Sequence, residues 1–207
     1  MRPARGGPEG VWAMRKRVLI GGLVGGLVLF AWSAFTHLVV PIGEIGVDSL
    51  PSEASIVPAL QAALSEPGFY LFPGDVEVHA APEAERAAAM EAWTERYRRG
   101  PRGAVLYRPG GAELFSPVQM GTELLSSVAA ALVLAFLLAQ AAPRLPAFGH
   151  RVLFCALCGG FAWLSIHVPY WNWYGFPTDY TLGVFIDSVG GWTVAGLVIA
   201  AFVKPAD

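Results

Sequence analysis

Ser165–Thr181 reads SIHVPYWNWYGFPTDYT and lies between two long apolar runs, Val152–Val168 and Leu182–Val203. A hydrophobic segment that ends on a histidine and then gathers Trp, Tyr and Asp has the profile of a chain leaving a bilayer. Tyr170, Trp171, Trp173, Tyr174 and Tyr180 stand where an aromatic belt belongs, with rings at headgroup level and polar tips in water.

Working outward, two further runs are long enough to cross a membrane, which takes about 20 apolar residues. One occupies Val18–Val40 and the other begins near Leu124, after SPVQMGTE. The whole chain agrees: of 207 residues 55% are hydrophobic and only 14% charged, with a mean hydropathy of +0.50. That is too apolar for an ordinary globular surface. The sequence therefore predicts a polytopic α-helical membrane protein with four transmembrane helices, at 16–41, 117–142, 151–169 and 181–203. Residues 1–15, rich in Gly, Pro and Arg, are expected to be a disordered cytoplasmic segment. The first run also resembles a signal peptide, with Ala31 and Ser33 as a small-x-small pair. Its apolar stretch continues well past that point, so it is expected to be retained as a span.

Basic residues set the orientation. Arg15, Lys16 and Arg17 precede the first span, Arg144 and Arg151 flank the loop between the second and third, and Lys204 follows the fourth. All fall on one side, so both termini are expected to be cytoplasmic, in a membrane of the bacterial inner-membrane type. Residues 42–116, with six Arg against eleven acidic residues, are then extracytoplasmic. A net charge of −2 leaves no basic face for nucleic acid, and no such partner is expected.

The 42–116 segment is domain-sized. Ile56, Val57, Leu60 and Leu64 recur at helical spacing, with Pro58 expected in the first turn. FYLF (69–72) reads as a strand closed by Pro73-Gly74, and APEAERAAAMEAWTERYRR (81–99) as a helix with arginines in its last turn. GAVLYRP (103–109) reads as a second strand. A small α+β unit follows, one without a disulfide, because Cys155 and Cys158 are the only cysteines. It holds no nucleophile elbow, phosphate loop or His-Glu-x-x-His, so a binding or contact role is more natural for it than catalysis.

Cys155 and Cys158 have Cys-x-x-Cys spacing, as redox pairs do. Membrane thiol oxidoreductases of four helices need a further cysteine pair on the outer side, and none is present. Buried packing is the expectation. Gly21, Gly22, Gly25 and Gly26 form a doubled small-xxx-small pattern, and Gly183, Asp187, Gly191 and Ala195 share one face of the last span. Both patterns point to close helix approach, with a partner helix either in this chain or in another.

Inward of the basic residues at its cytoplasmic end, each span carries one intramembrane ionisable residue: His37, Glu123, His167 and Asp187. At 1.5 Å per residue all four lie about 5–10 Å inside the outer boundary. Groups at that depth normally face the bundle interior or a watery cavity, and the four are expected to converge. Two imidazoles and two carboxylates could bind a transition metal, the two histidines could serve a haem, or the set could pair within itself and fix helix register. The functional expectation is a non-catalytic accessory subunit of a larger membrane complex, associating with other subunits through its helices and outer domain. A metal- or haem-binding protein or small transporter built on the four polar residues is the alternative.

Overall fold

The computed structural model describes residues 8–205. In chain order the elements are α1 (Pro8–Leu38), α2 (Glu53–Ala63), β1 (Gly68–Phe72), α3 (Val76–Ala80), α4 (Arg86–Arg99), β2 (Gly103–Tyr107), α5 (Pro117–Ala141), α6 (Phe148–Tyr174) and α7 (Thr178–Phe202). They fall into two compact units, one made of the chain up to Val47 with the chain from Leu114 onward, the other of Asp48–Glu113.

The first unit holds α1, α5, α6 and α7, each long and apolar enough to cross a membrane. Four glycines near the middle of α1 would each weaken a helix in water by about 1 kcal/mol. In hydrocarbon the backbone has no other hydrogen-bond partner, so the helix persists and the glycines become contact points. A Cβ on Gly22 would sit 2.8 Å from Leu132 Cα, and one on Gly26 2.5 Å from Val128 Cα. On the adjacent face, a Cβ on Gly21 would meet Phe202 at 3.1 Å and one on Gly25 would meet Ile199 at 2.5 Å. The doubled motif thus serves two neighbours at once, Gly22 and Gly26 toward α5, Gly21 and Gly25 toward α7. Residue numbers rise along α1 as they fall along its partners, so both contacts are antiparallel.

The same holds for α6 on α7. Gly159 lies against Trp192 and the Ser188 carbonyl, and Gly196 against Cys155. The helices therefore stand in the lateral order α5–α1–α7–α6, with α5 touching α6 and α7 only lightly. The face Gly183–Asp187–Gly191–Ala195 is the one α7 turns to α1 and the residues after it: Gly183 meets Ile42 and Ile45, Gly191 meets Trp32, and the Ala195 carbonyl meets Gly25. A core of Leu134, Leu138, Cys155, Ile199, Ala200 and Val203 gathers at the end of the bundle where α1 begins and α7 stops. At that end the Arg151 guanidinium is buried at 6% exposure. It donates to the carbonyls of Pro146 (2.7 Å), Leu145 (3.1 Å) and Ala200 (3.3 Å).

Several element ends differ from the sequence reading. Helix α1 starts at Pro8, inside the segment expected to be disordered, while residues 1–7 lie outside the described residues. Helix α6 does not stop at residue 169 but continues through Pro169 to Tyr174, where Gly175 at φ 73° supplies the left-handed stop. A proline inside a membrane helix is tolerated because neighbouring groups re-satisfy the freed carbonyl. The connection expected between the spans 151–169 and 181–203 is thereby reduced to Gly175-Phe176-Pro177. At the start of α5 the Ser116 hydroxyl accepts from the Gln119 N–H at 3.2 Å, with Pro117 in the first turn, as the capping pattern predicts.

In the second unit β1 and β2 pair antiparallel, from Gly68 opposite Tyr107 to Phe72 opposite Gly103. Both predicted strands and both predicted helices are present, and α3 is an addition. Helix α2 starts a turn earlier than Pro58 requires, leaving that proline inside the helix. The Trp93 indole donates to the Pro73 carbonyl at 3.1 Å, and Arg96 pairs with Glu77 at 2.9 Å, tying α4 to α3.

Candidate functional site

Asp187 has the best-defined surroundings of the four intramembrane ionisable residues. Gly190 and Gly191 leave a shelf on α7: Cβ atoms there would come within 2.7 and 2.8 Å of the Trp32 ring. The indole lies on that shelf and directs its N–H at both the Asp187 carboxylate (2.9 Å) and the Asp187 backbone carbonyl (3.0 Å). The polar contact and the close backbone approach thus come from one stretch of α7. Sequence reasoning missed Trp32, although it sits seven residues after Gly25, two turns along the face that meets α7.

His37 is exposed at the end of α1. Its Nδ1 lies 2.9 Å from the Ser33 carbonyl. A carbonyl only accepts, so Nδ1 carries a proton in this contact. Its ring packs against Gly43. Neighbouring Thr36 is fully buried and turned back to the Trp32 and Ser33 carbonyls, both at 3.2 Å. Glu123 is exposed on α5, and its side chain has no partner among the described residues; its carbonyl accepts from Ser126.

His167 is half-buried on α6. Its Nδ1 is out of contact with solvent and has no hydrogen-bond partner among the described residues. Its ring meets Tyr170 edge-on at 6.2 Å, and Tyr170 in turn stacks on Phe176 at 5.5 Å. Tyr170, Tyr174, Phe176 and Tyr180 therefore form a connected cluster across the α6–α7 turn. Trp163, one turn before His167, donates to the Thr181 carbonyl at 2.8 Å.

The four residues do not share a depth: Asp187 lies level with Trp32, five residues before His37, and the adjoining Ser188 meets Gly159, eight residues before His167. Among the described residues no three His, Cys, Asp or Glu side chains are grouped so as to hold a metal ion. The structure joins Asp187 to Trp32 and does not assemble the four into one ligand set. Cys155 is fully buried against Gly196, and Cys158 half-buried one turn on; both thiols are free.

The contacts with most structural content are Trp32–Asp187, Trp163–Thr181 and Arg151 on the end of α7, each an interhelical hydrogen bond from a side chain to the last helix. Together with four helices of spanning length, they define a helical membrane protein with an α+β insertion between its first two spans. Compared with protein families, curated proteins and solved structures, the chain matches none.

Proposed function

We propose that this protein is a non-catalytic accessory subunit of a larger inner-membrane complex, held there by its transmembrane helices and its Asp48–Glu113 unit. One observation carries the reading. Of all the side chains in Asp48–Glu113, only Val78 is buried. A unit of this size is marginal even with a full core, and this one has almost none. It also presents apolar surface. Phe69 and Leu71 alternate to one side of β1, and their partners Leu106 and Ala104 share that side. Leu106 is 77% exposed and Leu71 51%. A contiguous apolar sheet face of this kind marks a contact surface.

The basic residues of 15–17, 144, 151 and 204 support cytoplasmic termini and an extracytoplasmic insertion. Reporter fusions after Arg144 and after Lys204 are expected to read cytoplasm, and one at Arg86 the outside. An outside signal after Lys204 would end the four-span topology. For the subunit reading, a photo-crosslinking amino acid at Leu106 in membranes of the native host is expected to capture one defined protein, with comigration on native gels. Recovery of the chain alone, at its own mass and with no crosslink, would sink it.

The second reading, metal or haem binding or transport through His37, Glu123, His167 and Asp187, has the unpartnered His167 nitrogen on its side. Metal analysis and an absorption spectrum of the purified protein test it. A stoichiometric metal or a haem band that disappears in His167→Ala would favour it over the first.

A further inference from the structure

The contact between α1 and α5 closes at Gly22 and Gly26 and opens toward the end where α1 begins. There a groove of about 660 Å³ runs between the two helices, walled by Leu19, Leu132, Phe136 and Ala139, with Arg15 and Gln140 at its mouth. The antiparallel register explains the shape. Gly22 brings α1 onto Leu132, and about one turn back the larger Leu19 and Phe136 line the groove. From Gln140 to Leu132 the groove extends about 12 Å, taking 1.5 Å per residue. That is most of the roughly 15 Å half-thickness of a bilayer core.

Its polar end is one-signed. The Arg15 guanidinium lies 5.9 Å from the Trp12 ring, and among the described residues it has no ion pair. The stretches that meet at this end, 12–17, 139–151 and 200–205, contain Arg and Lys but no Asp or Glu. Leu19 and Phe136 are more than half exposed, so the groove opens sideways to the surroundings of the bundle.

We infer that the α1–α5 groove binds one anionic glycerophospholipid, an acyl chain lying along Leu19, Phe136 and Leu132 and the phosphate on Arg15. Charge complementarity selects the occupant. An apolar groove alone accepts any acyl chain, whereas a cation at its mouth with no carboxylate beside it among the described residues favours a headgroup of net negative charge. Gln140 supplies an amide donor beside it. This inference rests on the four helices being membrane spans.

The test uses the full-length chain, delipidated in mild detergent and offered equal amounts of phosphatidylglycerol and phosphatidylethanolamine, with bound lipid counted by native mass spectrometry. One saturating phosphatidylglycerol is expected, preferred about five-fold, with the preference abolished in Arg15→Gln and retained in Arg15→Lys. Arg15 is exposed, so these variants are expected to fold. Ala139→Trp, which fills the groove, is expected to lower binding of both lipids. Equal retention of the two lipids by the unmodified chain, or an undiminished preference in Arg15→Gln, would overturn the inference. Release of the chain from membranes by alkaline carbonate would instead refute the spanning helices, a separate failure.

Discussion

The two units of this chain hold themselves together by opposite means. In the helical unit, backbones approach until a single added carbon on Gly22 or Gly26 would collide with the next helix. In Asp48–Glu113, only Val78 is buried, and beside the β1–β2 pairing and the Trp93–Pro73 bond the unit shows ion pairs, Glu83–Arg86, Glu95–Arg99 and Glu77–Arg96 at 2.6–2.9 Å. Those ion pairs are exposed and worth about 0–1 kcal/mol each. The difference follows from the solvent. Between helices in lipid there is little hydrophobic drive, so close packing and interhelical hydrogen bonds must supply the association. The insertion has no helix apolar enough to span, and it gains stability only by covering apolar area. Within itself it covers little.

The largest effect is expected where that contrast is sharpest. Gly26→Leu should force α1 off α5 and destabilise the bundle by about 3 kcal/mol or more. Gly160→Leu, at a glycine with open space around it, should stay within about 0.5 kcal/mol. Unfolding in mixed micelles, followed by tryptophan fluorescence, compares them. Equal effects would break the account of backbone contact.

Arg151→Leu comes next, at about 2–3 kcal/mol, because the carbonyls of Leu145, Pro146 and Ala200 lose a charged donor in a buried setting. The same unfolding assay reads it, and a neutral result would mean that solvent reaches those carbonyls. A smaller term is the Trp32–Asp187 bond. A double-mutant cycle with Trp32→Phe and Asp187→Ala is expected to give a coupling of about 0.6–1.7 kcal/mol, between the mean and the maximum found for hydrogen bonds between membrane helices. Zero coupling would reduce the indole to a packing role.

The smallest effect is expected in the insertion. Leu106→Ser should change the stability of the isolated chain by no more than about 0.5 kcal/mol while removing the crosslink to a partner. A large loss of stability in the isolated chain would show that Leu106 packs internally, and the contrast between the units would weaken.

The four spans were legible in the sequence, because apolar runs of crossing length stand out by composition alone. Azimuth was not. His37 lies one residue from the end of α1 and Asp187 nine from the start of α7, and which face each of the four ionisable residues presents depends on which helix is its neighbour. That order, α5–α1–α7–α6, is nowhere written locally. For the same reason Gly21, Gly22, Gly25 and Gly26 announced close packing without saying that two different helices would share them. Arg151 read as a flanking charge; its burial follows from the docking of α6 on the end of α7, a tertiary event. Pro169 misled because its rule was learned in water. The strands of the insertion were readable because Pro73-Gly74 and Pro109-Gly110-Gly111 punctuate them with turn chemistry.

The placement of α1 between α5 and α7 has a consequence for biogenesis. Helix α1 meets its second neighbour only when α7 is complete, after the whole stretch from Leu38 to Phe202 has been made. At ordinary elongation rates that is on the order of ten seconds. Throughout that interval the Gly21–Gly25 face of α1 lies open to lipid or to other helices in the membrane. Any subunit or chaperone that engages this face early must leave before α7 arrives, so assembly of the protein is ordered by its own translation.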